Sequence, residues 1–205
     1  MSRFFVDLSK IKDMKNLIGY VIAFLMFNSL LAQKNNYEKP NLPIDMETNT
    51  ITYTEVVVLD TTLKKDELYS RVREWFAKTY KSANSVIQMD DKAEGKIVGR
   101  ASIPLTYSTM GNNPSAGSIS YNISVYVKDG KYKYEFANFQ HQGDGNKIPS
   151  YGSCTKMLNT TDKYFGIGMQ KTYNVYLNQM HTDIIETISN LKSTLALKTT
   201  SNKEW

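Results

Sequence analysis

One cysteine, Cys154, and two histidines, His141 and His181, are all that this 205-residue chain offers of the residue types that most often carry metals or nucleophilic chemistry. A lone thiol excludes an internal disulfide and any zinc site built on several cysteines. His141, Asp144 and Cys154 form a loose grouping without CxxC or HxxxH spacing, so neither a metal nor a cofactor is expected. Charge of one sign is also scarce. The formal net charge is +5, too weak to argue for a nucleic-acid partner. Long apolar runs are nearly absent as well. The one sustained run, Leu17 to Phe27, falls short of the roughly 20 residues that span a bilayer.

That run has a different meaning at its position. Met14-Lys15-Asn16 precedes it, and Asn28-Ser29-Leu30-Leu31-Ala32 comes after it. A short basic start, an apolar centre and a small residue at the exit describe a secretory signal over residues 1–32, with Met14 as an alternative start. Without it, Lys plus Arg falls to 21 and Asp plus Glu to 18, leaving +3. No cysteine lies just beyond the run, so a lipid-modified N-terminus is not expected. The expected location is the periplasm or the cell surface, with no membrane span after cleavage. The competing reading is a single N-terminal anchor.

Tyrosine leads the aromatics, with 14 Tyr against 8 Phe and 2 Trp, a bias that suits half-buried sheets. Residues 33–41 read as a flexible leader. Ile51 to Leu59 is a strand, expected to be buried on both faces because Val56-Val57-Val58 does not alternate. Lys65 to Tyr80 is an amphipathic helix with Leu68, Val72, Trp75, Phe76 and Thr79 on one face, and with Asp66 and Glu67 in the first turn, where the helix dipole favours them. Strands at Val86–Asp90 and Lys96–Leu105 flank a turn at residues 91–95. Gly99 and Ala101 would let a helix approach the second of these strands. The two-residue turn Asp129-Gly130 sets Val127 opposite Tyr132, Val125 opposite Tyr134 and Ile123 opposite Phe136, all on one face. The other face then receives Tyr126 with Lys133 and Ser124 with Glu135. A last helix runs from about Gln170 to Leu195, with Val175, Leu177, Met180, Ile184, Ile188, Leu191 and Leu195 as its apolar stripe. The expected plan is one α+β domain over residues 42–197, in the order β-α-β-β-β-β-α, with long loops at 106–118 and 140–169 and a tail at 198–205.

Several stretches resemble the DUF4468 family, a bacterial family of unknown function described as TBP-like. They are Leu42-Pro43-Ile44-Asp45, Glu55-Val56-Val57-Val58, Asp66-Glu67-Leu68-Tyr69 leading to Glu74-Trp75-Phe76, the turn from Asp91 to Gly95, and Val127 to Tyr132. The resemblance covers about residues 42–139 and implies an antiparallel sheet with helices on one face. It brings no catalytic residues, and a TBP-like fold does not by itself imply DNA binding.

The remaining candidates are few. Cys154 and His141 are the one conceivable nucleophile and base, within the 140–168 loop, but their spacing supplies neither an orienting group nor an oxyanion site. Asp144-Gly145-Asn146 reads as a turn rather than a calcium loop. Asp90 and Asp91 alternate across a strand end. Asp60-Thr61-Thr62 matches a bacterial O-glycosylation sequon and equally a loop before a helix. Tyr107, Tyr126, Tyr151, Tyr164 and Tyr173 are left unplaced by the core pattern. Of these, Tyr126 shares the open sheet face with Lys128, Lys131 and Lys133, a surface suited to a protein or glycan of the cell envelope. The expected function is therefore an exported, non-enzymatic binding or envelope-accessory domain. The alternatives are an envelope hydrolase using the 140–168 loop, or an inhibitory or structural interaction module.

Overall fold

The chain is described as a computed structural model over residues 38–60, 62–80, 82–107, 112, 114–145, 147–160 and 166–196. The expected signal at 1–32, Thr61, Tyr164 and the tail at 198–205 lie outside the described residues.

The centre of the fold is one long hairpin, β6 (Ser115–Lys128) and β7 (Lys131–Gln142). Its register places Val127 against Tyr132, Val125 against Tyr134 and Ile123 against Phe136, as the turn chemistry requires. All six are buried. The turn also anchors its surroundings. Gly130, at φ 69°, accepts from the Leu59 amide at 2.8 Å and donates to the Leu63 carbonyl at 2.9 Å. Asp129 Oδ1 accepts the Lys65 amide at 2.8 Å. That bond satisfies one of the open donors at the start of helix α1 (Lys65–Thr79), whose own preceding residue, Lys64, makes no side-chain cap.

Four further strands complete the main sheet. These are β3 (Tyr53–Val58), β4 (Ile87–Asp91), β5 (Lys96–Thr106) and the short β8 (Gly152–Ser153). The order is β3-β7-β6-β5-β4, and β8 pairs with β7. A separate small ladder joins β1 (Ile44–Asp45) to β2 (Thr50–Ile51). The architecture is an antiparallel sheet with helices on one face, as the sequence pattern requires.

Three expectations need correction. Strand β3 is not buried on both faces: it is the sheet edge, and Val56 and Val58 lie exposed on the outer face. Apolar runs mark an interior strand only when a second layer covers both sides. Val86 belongs to the short helix α2 (Ala83–Val86), so the strand starts at Ile87. The two long loops are shorter than expected. Strand β6 begins at Ser115 and β7 ends at Gln142, and residues 154–159 form helix α3 (Cys154–Asn159). For β7 the hidden cause is a β-bulge. The β6–β7 register shifts between Ser120 and Asn122, and Asn138 takes φ 58°. The inward positions of β7 then change from even numbers (Tyr132, Tyr134, Phe136) to odd ones (Phe139, His141). Alternation breaks in the sequence while the strand continues.

The inner face is covered by α1 and by the long helix α4 (Gly166–Ala196). Helix α1 buries Leu68, Val72, Trp75 and Phe76, whereas Thr79 remains exposed. Helix α4 buries Leu177, Met180, Ile184, Ile188, Leu191 and Leu195, with Val175 partly covered. Polar contacts set how the helices sit. Trp75 Nε1 donates to Asn190 Oδ1 at 2.9 Å, and Arg71 Nη1 donates to the Leu195 carbonyl at 2.9 Å, near the end of α4 where a cation suits the helix dipole. The Gln179 side chain brackets Thr106, accepting its amide at 3.2 Å and donating to its carbonyl at 2.7 Å.

The close approach expected at Gly99 is present. A methyl group there would lie 2.8 Å from Phe76 Cε1 and 3.2 Å from Val86 Cγ1. Gly99→Val is expected to lower stability by about 2 kcal/mol through overpacking, read from urea unfolding. Unchanged stability would contradict the packing of α1 on β5.

Candidate functional site

The register that buries one set of residues exposes another. On the outer face a single row crosses four strands: Val56 pairs with Lys133, Lys133 with Tyr126, and Tyr126 with Lys96. One row nearer the turn, Val58 pairs with Lys131, and Lys131 with Lys128. The four residues expected from sequence (Tyr126, Lys128, Lys131 and Lys133) are thus brought together. The sequence pattern misses Lys96, although its ammonium stands 5.3 Å from the Tyr126 ring centre, within the range of a cation–π contact. Its place depends on how β5 aligns with β6, and those strands are joined by a loop that carries no register signal. Lys133 meets Glu135 at 3.6 Å. Lys128 and Lys131 make no ion pair among the described residues. The face is therefore weakly basic, with an aromatic ring held at its centre.

His141 and Cys154 are brought near each other, but in the core. Both are buried. His141 lies in a ring stack, 4.8 Å from Tyr151 and 5.4 Å from Tyr176 between centroids. Its Nδ1 accepts the Tyr151 amide at 3.2 Å, and its Nε2 faces the Ala116 carbonyl at 3.1 Å. This pattern assigns a neutral ring with the proton on Nε2. Both nitrogens are engaged, so neither is free to take a proton from a nucleophile. Burial pushes the Cys154 thiol up to about 12, against a weaker opposing effect of a backbone hydrogen bond with His141. The thiolate that nucleophilic chemistry needs is disfavoured there.

The other candidates resolve into structure. Asp144 Oδ1 accepts the Lys147 and Ile148 amides at 2.8 Å each, closing a turn; Asn146 lies outside the described residues. Asp90 takes the Tyr69 hydroxyl and Arg73 Nε, while Asp91 accepts the Glu94 amide at 2.9 Å. The two carboxylates serve different neighbours. Asp60 Oδ1 accepts the amide and hydroxyl of Thr62 at 2.9 Å each. Tyr173 is buried on α4 against Tyr151, so both belong to the core, and Tyr107 packs at its margin.

A second surface feature has no counterpart in the sequence reading. A cleft of about 790 Å³ lies between the β1–β2 ladder, the first half of β3 and the second half of α4. Ile44, Met46, Ile185 and Ile188 supply its apolar lining. At one end the Tyr134 hydroxyl donates to Glu55 Oε2 at 2.7 Å, and Lys192 Nζ reaches the same oxygen at 2.5 Å. The Lys192 bond, then the Tyr134 bond, hold the Glu55 carboxyl below its usual range.

Burial lowers the His141 pKa from its ordinary 6.5, outweighing the Ala116 bond that raises it. In acid, the unfolded chain binds a proton that the folded chain refuses. The His141 contribution to stability is therefore complete above 6.5 and is lost as pH falls below it. An NMR titration should find the His141 midpoint below the ordinary 6.5, with unfolding midpoints falling from about pH 7 to about pH 5. An ordinary titration midpoint for His141 would contradict its burial in the ring stack.

Comparison with known proteins adds a family and a fold. Residues 53–142 match the model of the family described as a domain of unknown function (DUF4468) with TBP-like fold. The structure is similar to that of a DUF4468 family protein from Bacteroides ovatus, with 13% identity, a TM-score of 0.54, and coverage of 78% of this chain and 92% of that one. It is also similar to a TBP-like protein from Parabacteroides distasonis, with 15% identity, a TM-score of 0.52, and coverage of 73% and 96%. No curated protein matches the chain.

Proposed function

We propose, from the premise that residues 53–142 are a DUF4468 domain with a TBP-like fold, that this chain is an exported, non-enzymatic binding module of the cell envelope. Its outer sheet face would receive an acidic protein or glycan at the periplasm or cell surface. The observation that carries this reading is the row Val56–Lys133–Tyr126–Lys96, with Lys131 and Lys128 beside it. An open sheet face bearing an aromatic ring and several cations offers apolar contact and charge complementarity together.

Export rests on the basic, apolar and small-residue pattern at the N-terminus. Among the described residues no helix is long and apolar enough to cross a membrane. A non-enzymatic role is supported by the engagement of both His141 nitrogens and by the suppressed Cys154 thiolate. The rival hydrolase reading needs those two groups free. An inhibitory or structural module would use the same outer face and differs only in the consequence of binding. The weak net charge argues against a nucleic-acid partner, whatever the name of the fold.

The test is crosslinking of the exported protein in its native envelope. The Tyr126→Ala, Lys133→Ala double variant should capture its partner at least tenfold less, and added salt should weaken capture by the native protein. Cys154→Ala should capture normally. Undiminished capture by the double variant would remove the sheet face from consideration. A hydrolytic activity that disappears in Cys154→Ala would favour the enzyme.

A further inference from the structure

The two edges of the sheet differ in a way that points to a particular kind of partner. Strand β4 is a guarded edge. It has five residues, a register irregularity between Ile87 and Met89, and the charged pair Asp90-Asp91. These are features by which sheets resist further pairing. Strand β3 carries one charge, Glu55, which turns to the inner face and is held there by Lys192 and Tyr134. Its six residues, Tyr53-Thr54-Glu55-Val56-Val57-Val58, contain no lysine, no proline and no bulge.

The main-chain direction along β3 can be fixed from its ends. The Leu59 amide donates inward to Gly130, whereas the Thr52 amide donates outward to the Pro43 carbonyl at 3.1 Å. Alternation along an antiparallel strand then turns the amides and carbonyls of Tyr53, Glu55 and Val57 toward β7, and those of Thr54, Val56 and Val58 away from the sheet. The β1–β2 ladder meets the chain at Thr52, just before β3, and borders Thr54 and Glu55 across the cleft. Among the described residues no strand pairs with Thr54, Val56 or Val58 on this side. Val56 is 58% exposed and Val58 71% exposed, an apolar pair that a covering strand would take out of water.

We infer that this edge is a strand-addition site for an extended segment of a partner protein. The inference deepens the binding reading above and rests on it, naming the partner as a polypeptide rather than a glycan. Main-chain bonds to Thr54, Val56 and Val58 supply the affinity. Alternate side chains then face opposite sides of the sheet. On the inner side they meet the cleft, where Ile185 is 46% and Met46 92% exposed, so apolar residues fit there. On the outer side they lie beside Val56 and Val58, with Lys131 and Lys133 one strand further, about 10 Å away, so a glutamate fits there, its aliphatic stem against the valines and its carboxylate toward the lysines. The partner segment therefore alternates acidic and apolar residues over at least five positions.

The probe is a capped six-residue peptide alternating Glu and Val, compared with the same peptide N-methylated at alternate amides. N-methylation keeps the side chains and charge but removes the strand's donors. The parent peptide should protect the Thr54, Val56 and Val58 amides from hydrogen exchange and bind at least tenfold better than the methylated one. Val56→Pro, which deletes only an outward-facing amide, should weaken parent binding at least tenfold. Val58→Glu, an edge charge that leaves the backbone intact and repels the peptide's outer glutamates, should do the same if the proline variant folds poorly. Equal binding of both peptides, with no protection along β3, would overturn the edge site while leaving the sheet face as the surface for an acidic partner. Binding of neither peptide would also overturn the edge site. The envelope crosslinking result would then decide the sheet face independently.

Discussion

The Asp129-Gly130 turn is the constraint on which the rest of this structure depends. Glycine is the residue that most readily takes the φ of 69° that Gly130 adopts. The same two residues tie down three neighbours: the end of β3 through Leu59, the linker through Leu63, and the start of α1 through Lys65. A two-residue turn leaves no freedom of register. Every side chain from Ile123 to Phe136 is thereby assigned to the core or to the outer face. A slip of one residue by β7 would bury Lys131, Lys133 and Glu135 and expose Tyr132, Tyr134 and Phe136. The burial of unpaired charge makes that alternative prohibitive.

A bulge at Asn138 makes the second decisive change. It reverses the inward parity of β7 and carries His141 into the core, between Tyr151 and Tyr176. The residue that looked most like a catalytic base is thereby held neutral, with a partner on each nitrogen. Cys154 joins it in the core at the start of α3. Packing thus ties up the Cys154 and His141 pair that stayed open in the sequence. Two of the surfaces that remain among the described residues are the outer sheet face and the cleft beside β3.

Much of the fold was legible because local signals agreed with one another. The turn residues and alternation of Ile123–Phe136 point to one register. The spacing of Leu68, Val72, Trp75 and Phe76 points to one helix face, and Gly99 marks where Phe76 comes close. The failures share a cause as well. Val56-Val57-Val58 reads as interior because composition does not reveal whether a strand has a neighbour on its other side. The extension of β7 was hidden by the bulge, that of β6 by the loop-type residues Pro114 and Gly117, and the place of Lys96 by a register that only tertiary contacts set. The site shows the same division. Tyr126, Lys128, Lys131 and Lys133 could be placed on one face from sequence because one hairpin holds them, whereas the positions of Val56, Val58 and the cleft require strands and helices distant in sequence.

Both faces of the sheet depend on how the hairpin sorts its residues, and the pattern of cross-strand Hα–Hα contacts by NMR tests that sorting most directly. The close, non-hydrogen-bonded pairs should be Val127 with Tyr132 and Val125 with Tyr134, at Cα separations of about 4.5 Å. Contacts of Tyr126 with Tyr132, or of Ser124 with Tyr134, would mean a shifted register and would contradict the assignment of both faces.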